Sequence, residues 1–265
     1  MLAHELIKIQ ESAVRHIVLL HGIMGSKRNM RGFAGQLVAA FPDTEVLLVD
    51  LPYHGDSKVV GLAYDLRTCA QEILALIDSL HFPADILMGH SFGGQVALAC
   101  SELRKFKQVV VLDAVPGKIK SVNLTVNQVI KVLHQLKPPF ASRKELVSQM
   151  LTSGLSQSIA AWMTTNLEAG PEGLQWKFNL DAIEGMLKSY EETSFWELLK
   201  LNPNETRYDF IRAQRENRFS SDDIKAFSLL EKNGFVHIHL LQDAGHWVHI
   251  DNPKGLLQLF EFFLQ

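Results

Sequence analysis

Four short runs rich in valine, isoleucine and leucine constrain the fold more than any other feature: HIVLL at 16–20, EVLLVD at 45–50, ILM at 86–88 and VVVLD at 109–113. None alternates apolar with polar residues, so each reads as a strand buried on both faces, the condition of strands in a parallel sheet. Helical text fills the intervals. Residues 30–41 leave room for a crossover helix, and Leu66, Cys69, Ala70, Ile73, Ile77 and Leu80 recur at three- and four-residue steps. A further helix, starting near Gly93, runs through small residues to Leu103. Strands alternating with helices predict a doubly wound, mostly parallel sheet.

That rhythm stops at residue 117. From there to 207 no strand-like run is evident, and helical patterns are broken by polar residues and proline. A parallel crossover needs only a dozen or so residues, so the stretch reads as an inserted helical subdomain, a cap. Strand text resumes at 208–211 and 235–241, and a closing helix carries Pro253 in its first turn with Leu256, Leu257, Phe260 and Phe263 on its buried face. The expected class is α/β, with a core domain of residues 1–116 and 208–265 and a helical cap at 117–207.

The composition narrows function to a pocket. Hydrophobic residues make up 47% of the 265 and charged residues 21%, a balance that suits a globular chain. Twenty-six Lys and Arg against 29 Asp and Glu give a net charge of -3, without a basic run suited to nucleic acid. No window approaches the roughly 18 uninterrupted apolar residues of a membrane span. His4, Glu5 and Lys8 interrupt the first ten residues, unlike a secretory signal, so the expected location is cytoplasmic. Cys69 and Cys100 suggest neither a disulfide framework nor a metal site, and no cofactor is expected. The sequence leaves the oligomeric state open, monomer or homodimer.

The chemistry centres on Gly89-His90-Ser91-Phe92-Gly93. It matches G-x-S-x-G and sits where a strand gives way to a helix, the context in which such a serine is presented as a nucleophile on a sharp turn. Only very small residues fit two positions before and after such a serine. A serine hydroxyl also needs a base, a group to orient the base, and donors for the oxyanion. Of eleven histidines, His246 is the best placed base: it follows the last strand text, on the carboxyl edge where ligands gather in open α/β sheets. His249 reads better as a packing or surface residue, and His237 and His239, alternating along a strand, as structural.

Three carboxylates compete as the third member. Asp113 ends a buried strand on the same edge as Ser91 and is preferred. Glu216 follows the next strand, the more usual place for the acid. Asp181, three residues before Glu184, is accounted for by a capping box. For the oxyanion hole, Phe92 N–H follows the nucleophile and Ile23 N–H lies in the His21-Gly22-Ile23-Met24-Gly25 loop after an early strand.

These residues bring out a resemblance to the α/β-hydrolase superfamily over essentially the whole chain, and within it to small bacterial acyl esterases with a helical cap and their mitochondrial relatives. The matching text is HGIMGSKRNM at 21–30, VDLPYHGDS at 49–57, MGHSFGG at 88–94, LDAVPG at 112–117, FNLD at 178–181 and AGHWVHIDNP at 244–253. The resemblance implies a serine hydrolase of carboxylic esters or acyl thioesters, with Ser91 as nucleophile, His246 as base, and Ile23 and Phe92 as oxyanion donors. It places the acid of this subgroup at or near Asp113. Where the relatives favour Gly-Gly-Asn after Phe210-Ile211, this chain has Ala213-Gln214-Arg215.

Trp162, Met163, Trp176, Phe178, Phe195 and Trp196 could line an apolar pocket for short or medium acyl chains, or serve as cap core. Two other readings stay open. A lyase of the menaquinone-pathway type uses the same three groups on a polyanionic substrate; it would want clustered arginines, and no spacing gathers Arg143, Arg207, Arg212 and Arg215. A ligand-binding module without catalysis is the other.

Overall fold

The computed structural model describes residues 1–59, 61, 63–119 and 124–264. Residues 120–123 of the expected insertion, and 60, 62 and 265 of the expected core, lie outside the described residues. The apolar runs form the strands of one seven-stranded sheet: β1 (His4–Ile7), β2 (Arg15–Leu20), β3 (Thr44–Val49), β4 (Ile86–His90), β5 (Gln108–Leu112), β8 (Arg207–Ala213) and β9 (Val236–Leu241). Their spatial order is β1-β3-β2-β4-β5-β8-β9, with β1 antiparallel to β3 and every other pair parallel.

Side-chain alternation divides the core between two faces. Val18, Leu20, Leu47, Val49, Leu87, Val109 and Val111 pack against α2 (Leu66–Ser79) and α3 (Phe92–Leu103). Ile17, Leu19, Val46, Leu48, Met88, Val110 and Leu112 pack against α1 (Lys27–Ala40) and α11 (Pro253–Phe263). Burying each such side chain contributes about 1.5–3 kcal/mol. Continuous apolar text is therefore what a strand covered on both sides requires.

The order also positions the site. The chain leaves β2 for β3 on one side, then returns to place β4 on the other, with Leu20 opposite Gly89. The loops after β2 and β4 thus diverge, opening a crevice at the carboxyl edge of the sheet.

Between β5 and β8 the chain forms α4 (Leu124–Gln135), α5 (Arg143–Thr152), α6 (Gln157–Met163), α7 (Leu180–Glu192) and α8 (Trp196–Leu201). It also forms two strands, β6 (Leu167–Gly170) and β7 (Gly173–Trp176), paired as an antiparallel hairpin. This corrects the expectation of a purely helical insertion. Each strand has only four residues and no β-branched side chain, so the periodic signal was too short to see; the Gly170-Pro171-Glu172-Gly173 turn was the available cue. After β8 come α9 (Ser221–Leu230), β9, a short α10 (Val248–Asp251) and α11. Among the described residues no helix is long and apolar enough to cross a membrane.

Candidate active site

Ser91 stands between β4 and α3 with φ 53° and ψ -117°, a backbone conformation costly for a side chain. Its N–H donates to Leu112 O at 2.8 Å, pinning the turn to the end of β5. The two glycines around it are demanded by space. A Cβ at Gly89 would lie 2.1 Å from Gly93 O, and one at Gly93 would lie 2.4 Å from His21 O. The tight turn lifts Ser91 into a cleft of about 1500 Å³ on the carboxyl edge, which Ile23, Phe92 and His246 also line.

The loop after β2 approaches closely: a Cβ at Gly22 would be 3.5 Å from that of Ser91. Gly22 O accepts both from His21 Nδ1 at 2.8 Å and from Gly25 N–H at 3.0 Å, while His21 Nε2 accepts from Leu51 N–H at 3.0 Å. His21 is thereby held as the neutral Nδ1–H tautomer, and burial lowers its pKa.

His246 lies between β9 and α10. Its Nδ1–H donates to Asp113 Oδ2 at 2.7 Å, and its backbone N–H donates to Glu216 Oε1 at 3.2 Å. His90 Nε2 donates to the His246 carbonyl at 2.7 Å, with the two rings 4.6 Å apart. Burial, with the Arg218 guanidinium and His249 nearby, pushes the His246 pKa well below the usual imidazole value. The ring is neutral at physiological pH.

Asp113 is fully buried, in a left-handed backbone conformation just after β5. Its Oδ1 accepts from Ala213 N–H at 3.0 Å, and Arg218 Nε lies 3.2 Å from its Oδ2. Desolvation pushes its pKa up to about 6, against the opposing pull of the Ala213 N–H and Arg218.

The three candidate acids are thus placed differently. Asp113 meets the imidazole; Glu216 holds the backbone of the same histidine and lies 3.7 Å from Arg218 Nε. Asp181 sits in the first turn of α7, where an acid suits the helix dipole. It is not the cap residue the sequence suggested: Asn179 is, accepting from Ala182 N–H at 2.9 Å, because the helix starts one residue before Asp181. Glu184 instead meets His134 Nε2 at 2.9 Å.

Of the six large side chains considered as pocket lining, only Trp162 faces the cleft, with Trp247 5.9 Å away ring to ring. Trp176 stacks on Phe178, Trp196 packs against Phe227, and Met163 and Phe195 are buried. The apolar wall on the insertion's side also includes Ile119, Val126, Val129, Ile159 and Leu187. His249 lines the cleft and packs edge-on against His90 and Phe33, whereas His239 meets Asp209 at 2.8 Å and is not part of the cleft wall.

Two residues escaped the sequence. Arg218 lies beyond the arginines that were weighed, and only the neighbouring Glu216 marked its loop. Tyr190, on α7, lines the cleft with Ser91, its ring lies 5.9 Å from that of Phe92, and its burial raises the phenol pKa. It falls on the buried stripe with Ile183 and Met186, where a tyrosine reads as core. Among the described residues no group of three or more His, Cys, Asp or Glu side chains is arranged to hold a metal.

With this geometry in view, residues 17–259 match the model of the Alpha/beta hydrolase family. The chain belongs to that family. A "sn-1-specific diacylglycerol lipase ABHD11" of Danio rerio is 28% identical over 261 residues, covering 94% of this chain and 78% of that protein. A "2-succinyl-6-hydroxy-2,4-cyclohexadiene-1-carboxylate synthase" of Citrobacter koseri is 25% identical over 253 residues, covering 91% and 90%. Among solved structures, a "Marine microorganism esterase" superposes with a TM-score of 0.83 over 99% of this chain and 98% of its own, at 24% identity, a likeness of fold.

Proposed function

We propose that this family member hydrolyses carboxylic esters through an acyl-enzyme on Ser91. The observation that carries the reading is the convergence of Ser91, the neutral His246 ring and the buried Asp113 carboxylate on one edge of the sheet, under an apolar cleft. Ser91 Oγ attacks the acyl carbonyl while His246 Nε2 takes its proton; Asp113 holds the ring with Nε2 free and stabilises the imidazolium that forms. The backbone N–H groups of Ile23 and Phe92 receive the oxyanion. The proton then passes from His246 to the departing alkoxide, and water, activated by the same ring, releases the acid.

The segment 117–207 acts as a cap. Ile119, Val129, Ile159, Trp162 and Leu187 supply an apolar wall for the acyl chain. Charge at the cleft favours esters of uncharged alcohols over acyl-CoA thioesters. Glu191, Glu216, Asp222, Asp223 and Asp251 line it against Lys118, Arg215 and Arg218 among the described residues. Two of those cations already face carboxylates: Arg215 is 3.6 Å from Asp251, and Arg218 is paired with Asp113. The same count weighs against the lyase reading that the Citrobacter koseri relative raises, since Arg143, Arg207 and Arg212 are absent from the described cleft wall.

The test is turnover of p-nitrophenyl esters by the wild type beside Ser91→Ala and His246→Ala. Each variant should lose at least about a thousandfold in kcat. A Ser91→Ala enzyme with undiminished turnover would refute the reading.

A further inference from the structure

The hairpin β6–β7 reaches across the molecule at its base. Asn166, the residue before β6, is 1% exposed, and its Nδ2 donates to Met24 O at 2.8 Å. Met24 follows Ile23 in the loop after β2 and takes a left-handed conformation, φ 53°. Lys177, the residue after β7, closes the hairpin base through its N–H to Asn166 O at 2.8 Å. Its ammonium contacts Asp56 Oδ1 at 2.6 Å; Asp56 Oδ2 is 2.8 Å from Lys27 Nζ, and Lys27 Nζ is 2.8 Å from the fully buried Asp50. Lys27 N–H, at the start of α1, also donates to Asp50 Oδ1 at 2.6 Å. Hydrogen bonds to Lys177 and Lys27 hold the Asp56 carboxyl well below the usual carboxylate range.

The C-terminal end of the His21–Gly25 loop is therefore tied to one hairpin base twice, directly at Met24 and through the ion chain at Lys27. A buried carbonyl that loses its partner is costly, so the loop has reason to keep the conformation the hairpin dictates. We propose that Asn166 and Lys177 are positioning residues: through Met24 and the Asp56–Lys27–Asp50 chain, the inserted hairpin sets the Ile23 N–H against the oxyanion formed on Ser91. The inference rests on the ester-hydrolysis reading above and deepens it. The hairpin thus tunes how strongly the transition state is held, separately from how substrate is held in the ground state.

The experiment compares wild type, Asn166→Ala, Asn166→Asp and Lys177→Met on a p-nitrophenyl ester. Two inhibitors of equal chain length are used: an alkyl trifluoromethyl ketone, to which Ser91 Oγ adds with its proton passing to His246, and the corresponding alkyl alcohol, which forms no adduct. Removing an oxyanion donor costs about a hundredfold or more, so a displaced one should lower kcat about tenfold with KM within about twofold. Ketone affinity should fall by a similar factor, with alcohol affinity unchanged. Asn166→Asp keeps the shape but sets an acceptor against Met24 O, and should be impaired at least as much as Asn166→Ala. Lys177→Met should move kcat and ketone affinity in the same direction by less. If the Asn166 variants fail to fold, Lys177→Met decides by the same split between ketone and alcohol. A kcat within twofold of wild type, or equal weakening of both inhibitors, overturns the coupling. A Ser91→Ala enzyme that keeps its turnover overturns instead the hydrolytic reading on which the coupling rests.

Discussion

The imidazole of His246 and the carboxylate of Asp113 meet at 2.7 Å across 133 residues of sequence, while Glu216, thirty residues from the same histidine, holds only its backbone N–H. Asparagine at 113 keeps the shape but allows the ring to settle in the wrong tautomer, a change that costs about 10⁴ in kcat in enzymes with this constellation. Asp113→Asn should therefore lose about 10³–10⁴ in kcat on p-nitrophenyl esters, and Glu216→Gln less than about tenfold, since the backbone N–H still finds the amide oxygen. The reverse order in steady-state assays would move the acid to Glu216.

The pH profile follows from the same pair. Turnover needs His246 neutral and Asp113 ionised; burial lowers the first pKa and raises the second to about 6. The acid limb of kcat/KM should therefore fall near pH 6, set by Asp113, rather than near the ordinary aspartate value. Arg218 pulls the Asp113 pKa down, so Arg218→Gln should move that limb to higher pH. Profiles that coincide would show that Arg218 does not act on the carboxylate.

Much of this was legible in the sequence because buried parallel strands leave continuous apolar text, and because the turn at Ser91 excludes any side chain at 89 and 93. The acid was legible only as a preference for Asp113 over Glu216. β5 and β8 are neighbours, and Asp113 Oδ1 accepts the Ala213 N–H, so both candidate carboxylates leave the same edge one strand apart. Chain order does not separate them; side-chain direction does. Tyr190, Arg218 and Asn166 were hidden for a related reason. Each makes its contact with a distant element, and locally each looks like a stripe residue, a loop charge or a turn.

Stability offers a check on the turn itself. A methyl group at Gly93 would meet His21 O at 2.4 Å and Leu20 O at 2.8 Å, both backbone atoms where β2 ends, with little room to yield. Gly93→Ala should cost about 2 kcal/mol or more, by analogy with overpacked cores. In a chain of this size that lowers Tm by about 4–8 °C. Thermal melts of the two proteins compare directly, and an unchanged Tm would mean that β2 and the Ser91 turn are not held as closely as described.

Charge at the cleft gives the sharpest test of leaving-group preference. Asp222 lies on the cleft wall in the first turn of α9, 3.5 Å from the well exposed Lys225. Asp223 caps the same helix by accepting from Ser220, so the charge is better reversed at Asp222. Asp222→Lys removes a repulsion and adds an attraction for a polyanionic leaving group, at a cost of about 0.3–1 kcal/mol in helix dipole energy. It should raise kcat/KM for an acyl-CoA several-fold relative to a neutral ester of the same acyl chain. Screening shortens the reach of the field to about 10 Å at 0.1 M salt and 3 Å at 1 M, so the gain should shrink as salt is added. Equal changes for the two substrates would show that cleft charge does not select the leaving group, and would return acyl-CoA thioesters to equal standing with esters of uncharged alcohols.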